Sequence, residues 1–394
     1  MNLSRRQLLQ YSSTAALLGA GSLACQSTAD AATPRKLRIL ILGGTGFLGP
    51  HIVESALAQG WTVTLFNRGK SAPGKFPTLE TLLGDRDPAK GSGLSAIEKA
   101  VKDGRRWDAV IDTSAYVPRV ARASATLLAP VIHQYVFIST VSVYGQEFPA
   151  FADESTPVAT VEDPTTEAVT GMTYGPLKAL CEQAVRDAMP MGATIVRPGL
   201  IVGPGDPTDR FTYWPVRIAR GGDVLVPAFA RPADSQVSFI DVRDLAEFAL
   251  RLIHDGHDGT YNATGPAGEL LFPEMAAGCK ASVSVPVRFV EVGETFLLEQ
   301  GVQPWMGLPL WIPQGGPGEA PGPSAMGTIS RRRAIDAGLA FRPLAMTSAD
   351  TIKWWADTHE PDADFTRGTG LPKAKEAELL SKWSAQSSSA ASPA

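Results

Sequence analysis

The run Leu37-Arg38-Ile39-Leu40-Ile41-Leu42 leads straight into Gly43-Gly44-Thr45-Gly46-Phe47-Leu48-Gly49, and this junction constrains the chain more than any other part of it. A near-continuous apolar run of strand length has no polar face to turn to water, so it suits a parallel strand covered on both sides. Glycines three apart then meet three separate needs. Gly43 allows a tight turn, Gly46 lets the main chain approach a pyrophosphate, and Gly49 lets the following helix pack closely on the strand. A helix N-terminus there presents N–H groups and a dipole that favour an anion. Thr45, Phe47 and Leu48 share the loop and join the glycines as candidate dinucleotide-binding residues.

Further strand-length segments lie at Thr62–Phe66, Ala109–Asp112, Gln134–Ile138 and Ala193–Arg197, with helical patterns at Leu94–Lys102, Arg119–Leu128 and Lys178–Met189. That alternation predicts an α/β fold, a Rossmann-type doubly wound parallel sheet with a smaller C-terminal substrate domain. From Gly199 the chain turns Pro- and Gly-rich, and pattern returns at Val237–His254 and Gly259–Ala263. The predicted division is a dinucleotide-binding domain over 35–200, rejoined by 237–263, and a substrate region over 201–236 and 264–385. Gly315–Pro323 reads as a loop, and the Ser/Ala-rich 386–394 as a disordered tail.

The second strand ends Phe66-Asn67-Arg68-Gly69-Lys70. A carboxylate at this place takes the ribose hydroxyls of NAD; Asn67 stands there instead, and Arg68, helped by Lys70, can pair with a 2'-phosphate. NADP is therefore favoured over NAD, although an Arg68 stacked on adenine or facing solvent would leave NAD equally well bound.

Downstream come Tyr135-Val136-Phe137-Ile138-Ser139-Thr140-Val141-Ser142-Val143-Tyr144-Gly145 and Tyr174-Gly175-Pro176-Leu177-Lys178. Residues four apart share a helix face, so the Lys178 ammonium can sit beside the Tyr174 phenol, lower its pKa and fit it for proton transfer. Together with the glycine loop, these stretches resemble the extended short-chain dehydrogenase/reductase family over most of Leu37–Ala263. The resemblance implies a Thr140, Tyr174 and Lys178 catalytic set, with hydride exchanged at a nicotinamide and Lys178 also reaching the cofactor ribose. Ser139 and Ser142 are weaker candidates for the polar role, and Asp85 of Gly84-Asp85-Arg86 falls where relatives contact adenine, or caps a strand end. Sugar-nucleotide dehydratases of the family carry Asp-Glu where this chain has Val141-Ser142, which disfavours dehydration.

Arg197–Asp206 and Phe239–Asp244 also look like family landmarks, with Asp241 and Asp244 read as helix caps. Asp209, Arg210, Tyr213, Trp214 and Arg217 could line a polar ligand cleft or serve packing, whereas Trp305, Trp311, Trp354 and Trp355 read as core.

The N-terminus is of another kind. Ser4-Arg5-Arg6-Gln7-Leu8-Leu9, a mild apolar run to Ala24 and Ala29-Asp30-Ala31-Ala32 resemble a twin-arginine export signal over 1–32, which implies the export machinery as a partner and a periplasmic location. Anchoring at Cys25 is the minority alternative. Three scattered cysteines suggest neither a disulfide framework nor a metal site, and a net charge of −4 counts against nucleic acid as a partner. Some relatives with an Asn-Arg-Gly strand ending look like RNA-binding proteins; the acidic balance argues otherwise here.

Outside the cytoplasm a dissociated NADPH is not replenished, so a retained cofactor that cycles within one turnover is expected. The reading that follows is an NAD(P)-dependent epimerase-like oxidoreductase acting on a sugar, polyol or related hydroxy-carbonyl compound. A net NADPH-dependent reductase or dehydrogenase and a non-catalytic dinucleotide- or RNA-binding module are the alternatives. Relatives often pair into homodimers, which the periodicity here does not demonstrate.

Overall fold

The computed structural model describes residues 36–145, 148–313, 325–360, 363–365 and 369–390. The leader expected over 1–32, with Cys25, and the Gly315–Pro323 loop lie outside the described residues.

The first half alternates strand and helix: β1 (Arg38–Leu42), α1 (Leu48–Ala58), β2 (Thr62–Asn67), β3 (Glu80–Leu83), α2 (Ser95–Lys102), β4 (Ala109–Asp112), α3 (Pro118–Leu128), β5 (Gln134–Ile138), α4 (Tyr174–Ala188) and β6 (Ala193–Pro198). There follow β7 (Leu200–Val202), α5 (Tyr213–Ala219), β8 (Gly222–Ala228), β9 (Phe239–Asp241), α6 (Val242–His254) and β10 (Gly259–Ala263). The rest is α7 (Phe272–Lys280), β11 (Val287–Gly293), α8 (Glu294–Glu299), α9 (Ala325–Thr328), α10 (Arg332–Asp336), α11 (Leu344–Thr358) and α12 (Lys373–Ala390).

Seven strands form one sheet in the order β10-β6-β5-β4-β1-β2-β3, and every neighbouring pair is parallel. Alternation of strand and helix therefore produced the doubly wound sheet expected of it. The four residues Ile39 to Leu42 are fully buried, Ile39 and Ile41 toward a core shared with α1 and α6, Leu40 and Leu42 toward a core shared with α3 and α4. Strand order reverses between β1 and β4, which opens a crevice at their C-terminal ends, the usual ligand position in such sheets.

Edge strand β3 was not anticipated, because it buries little and needs no apolar run. Of the returning segment 237–263, β10 joins the main sheet beside β6, while β9 pairs with β7 in a separate two-stranded sheet. A second core gathers β8, β11, α5 and α7. The 386–394 tail also differs from expectation: α12 continues to Ala390, and only 391–394 lie outside the described residues. Helix α12 is held on the second core by Trp383, whose ring lies 5.1 Å from that of Phe296.

A dinucleotide-sized cavity and the residues around Tyr174

The loop after β1 is built as its glycines require. Gly43 has a φ of +99°, and a Cβ there would stand 2.5 Å from Thr113 Oγ1. At Gly49 a Cβ would meet the main chain of Gly43 and Gly44 at 2.6 Å, whereas at Gly46 its nearest neighbour is 4.0 Å away. Gly49 is thus closed against the strand loop, and Gly46 opens on a cavity of about 740 Å³. The predicted residues Gly43, Thr45, Gly46, Phe47, Leu48, Gly49, Asn67, Arg68, Asp85 and Lys178 all line this cavity, with Tyr174 at its other end. An open glycine at a helix N-terminus and a row of such donors fit a dinucleotide.

At the far end Asn67 Oδ1 accepts from Gly69 N at 2.7 Å, and Asp85 Oδ1 accepts from Asp87 N at 2.9 Å, so both side chains also hold turns. Arg68, Lys70, Ser71 and Lys90 face the same space. Arg86 was missed by sequence reasoning: its Nη2 donates to the buried Asp112 at 2.5 Å, while Nε and Nη1 are buried without a partner. Tyr135 OH donates to the same Asp112 oxygen at 2.8 Å. Arg119, on α3, pairs with Asp87 (2.8 Å) and with Glu167 (2.7 Å) of the segment before α4, joining both beside the cavity.

Helix α4 begins at Tyr174, four residues ahead of the predicted Lys178, because Gly175 and Pro176 obscure its first turn in the sequence while a first turn tolerates proline. Gly175 fixes its seat. A Cβ at 175 would lie 2.0 Å from the Ser142 carbonyl oxygen, so helix start and Thr140 turn are pressed together. One turn along, Lys178 is buried, donating to Ala115 O (2.9 Å) and Ile138 O (2.7 Å), with its nitrogen 4.0 Å from the Phe137 ring centre. Burial pulls its ammonium down to about 8. The Tyr174 phenol is held above its ordinary value by burial and by the neighbouring Tyr116, while Thr140 and the charge of Arg210 act the other way. Thr140 Oγ1 also accepts from Ser142 N at 3.1 Å.

Ser139, the weaker candidate, is committed elsewhere: its hydroxyl donates to buried Glu182 at 2.6 Å. Arg197 grips Glu182 through Nε (2.9 Å) and Nη2 (2.7 Å) and donates from Nη1 to Tyr144 OH at 2.9 Å. This buried network ties β6 and α4 behind the Thr140 turn.

A second cavity, of about 260 Å³, adjoins the first and shares Phe47, Ser139, Tyr174, Ile201 and Pro207 with it. Thr140, Ser142, Asp206, Thr208, Arg210 and Trp305 also line it. Of the five residues offered as a polar cleft, Arg210 alone faces this cavity. Tyr213 and Trp214 are fully buried core, Arg217 is buried in an ion pair with Glu376, and Asp209 is buried. Trp305, expected in the core, packs half-buried against the second core and also forms part of the cavity wall; Trp311 and Trp355 are buried, and Trp354 is half-buried. Asp241 Oδ1 does cap α6 through Arg243 N at 2.8 Å; Asp244 serves a different purpose, pairing with Arg342 at 2.5 Å.

Cys181 and Cys279 are buried, and burial pushes both thiols up to about 12. Among the described residues no group of His, Cys, Asp and Glu is arranged to hold a metal ion, and no helix is long and apolar enough to cross a membrane.

The family model described as NAD dependent epimerase/dehydratase matches residues 39–264, more than half of the chain. The chain belongs to this family. Among relatives, it is 30% identical to the dTDP-6-deoxy-L-talose 4-dehydrogenase (NAD(P)(+)) of Kitasatospora kifunensis over 43% of its own length and 54% of that protein's. It thus spans about half of that relative. It is 25% identical to an epimerase family protein of Bos taurus, over 64% of this chain and 82% of the other. Similar folds include the Bordetella bronchiseptica enzyme WbmG in complex with NAD and UDP, with a TM-score of 0.58 at 16% identity, over 82% of this chain and 95% of that one. Another is UDP-glucose 4-epimerase from Bifidobacterium longum in complex with NAD+ and UDP, with a TM-score of 0.54 at 18% identity, over 82% and 98%.

Proposed function

We propose that this member of the epimerase/dehydratase family is an NAD(P)-dependent epimerase-like oxidoreductase acting on a sugar or related hydroxy-carbonyl compound. The observation that carries this reading is the position of Tyr174 on the wall of both cavities, with Thr140 lining the smaller one and Lys178 one helix turn away. When bound, NAD(P) supplies the reversible hydride acceptor that inversion at a carbinol carbon requires. Tyr174 takes or gives the proton on the substrate oxygen, and Thr140 holds that oxygen by its hydroxyl. Lys178 adds positive charge behind them, its orientation fixed by two main-chain carbonyls.

NADP is the favoured cofactor in this proposal. Asn67 offers no carboxylate against a 2'-phosphate, its amide oxygen is already used by Gly69, and Arg68 faces the cavity. The talose dehydrogenase relative supports net oxidation or reduction as the second reading. Export by a twin-arginine leader over 1–32 belongs to the same proposal, and it favours a cofactor kept between turnovers.

The deciding experiment denatures the purified full-length chain, never exposed to added nucleotide, and identifies what is released by mass and absorbance. Stoichiometric NADP or NAD supports the retained, self-recycling site; an empty protein that binds NADPH weakly would favour the net reductase. Arg68→Ala should weaken NADP binding far more than NAD binding, and equal effects would refute the phosphate role.

A further inference from the structure

The second cavity holds a cation whose setting is more specific than a general polar lining. Asp206 Oδ1 accepts from both Thr208 N (2.9 Å) and Thr208 Oγ1 (2.6 Å), and that same Thr208 oxygen accepts from Arg210 Nε at 3.2 Å. The relay fixes one edge of the guanidinium. The guanidinium also lies over an aromatic ring, its central carbon 5.8 Å from the Trp305 ring centre. Among the described residues the two terminal nitrogens have no acceptor, although the group is half-buried and lines the cavity next to Tyr174. A planar fork held along one edge, with two donor groups unused, matches a pair of oxygens on one ligand group.

Asp206 does not cancel this charge in a simple way. Its second oxygen is buried without a partner, and burial raises its carboxyl above the ordinary carboxylate value. Size limits the ligand further. At about 260 Å³ the space between Tyr174 and Arg210 accommodates one sugar ring, which is the part of a ligand that would meet both residues.

We propose that Arg210, aligned by Asp206 through Thr208 and placed over the Trp305 ring, is the receptor for an anionic group on a monosaccharide-sized substrate, either the carboxylate of a sugar acid or the phosphate of a sugar ester. This rests on the function proposed above, since it places the reacting carbinol of such a ligand at Tyr174 and its anion at Arg210.

The test is calorimetry on cofactor-loaded protein with four probes: galacturonate, galactose 6-phosphate, galactose and uridine-diphosphate galactose. Bound NADP(H) is quantified in the same samples. The acid or the ester should bind at least about tenfold more tightly than galactose, the magnitude of one charge-assisted contact, and whichever is tighter identifies the source of the anion. Arg210→Met should remove that preference, and Arg210→Lys should retain part of it. Equal binding of charged and neutral sugars, a preference that survives Arg210→Met, or no binding by either anion overturns the receptor. Tighter binding of the nucleotide sugar than of either anion overturns the choice of a monosaccharide-sized ligand. Protein that carries NADP(H) yet fails these arms refutes this inference alone, whereas protein that cannot bind NADP(H) refutes the function on which it rests.

Discussion

Replacing Gly175 by alanine isolates the contact that sets Tyr174 against Thr140. In an ordinary helix this change stabilises, by about 0.5–1 kcal/mol, because glycine loses more backbone freedom on folding. Here the added Cβ would stand 2.0 Å from Ser142 O and 2.8 Å from Ser142 C, both main-chain atoms with no rotamer to yield. Ordinary contact begins at 3.4 Å, so helix start and turn must part by about 1.4 Å, the difference between those two distances. Overpacking of this kind costs about 1–3 kcal/mol, which reverses the usual sign. A shift near 1 Å in a reacting group lowers turnover by about a hundredfold. Urea unfolding followed by tryptophan fluorescence reads the first effect without any substrate, and a turnover assay reads the second. A Gly175→Ala protein with an unchanged or raised urea midpoint would show that the two segments are not pressed together as described.

Two further outcomes follow from buried charge. Glu182→Gln leaves the Arg197 guanidinium buried without its carboxylate and should cost about 3–5 kcal/mol in the same unfolding assay; a loss below about 1 kcal/mol would mean that the network relaxes or admits water. Lys178, pulled from 10.5 to about 8 by burial, gives a pH signature. Between those values the unfolded chain holds a proton that the folded one has released, so this group's burial penalty, fully present below pH 8, is relieved and stability rises with pH. Turnover should move the opposite way, falling above about pH 8 as the Lys178 charge, one helix turn from Tyr174, is lost. Lys178→Met should be poorly active and lack that falling limb, and a limb that persists assigns it to another group.

The β1 strand and its glycine loop were legible because burial on both faces forbids polar interruptions and because three glycines had three distinct steric duties. That Tyr174 and Lys178 lie one turn apart on one helix was legible, since four-residue spacing is local; that Lys178 turns its ammonium to the Ala115 and Ile138 carbonyls and that Tyr174 is held above its ordinary value was not. Contacts between distant segments were not. Nothing at position 175 announces the Ser142 carbonyl against which it is seated, and nothing in Arg119 points to both Asp87 and Glu167. The tryptophans illustrate the same limit: Trp305 and Trp311 lie six residues apart in a similar local sequence, yet one faces a cavity and the other is buried. Arg210 and Arg217 differ in the same way, because only Arg217 meets a carboxylate, supplied by Glu376 more than a hundred residues later.

Arg119 joins Asp87, in the loop between β3 and α2, to Glu167, in the segment that leads into α4, at the wall of the larger cavity. A ligand of that cavity that binds only with both pairs made would therefore couple its own occupancy to the placing of Glu167 and the segment that carries it. A ligand that binds only the joined arrangement protects the segment from proteases in proportion to its concentration, and anything that holds the segment in place tightens the ligand by the same factor.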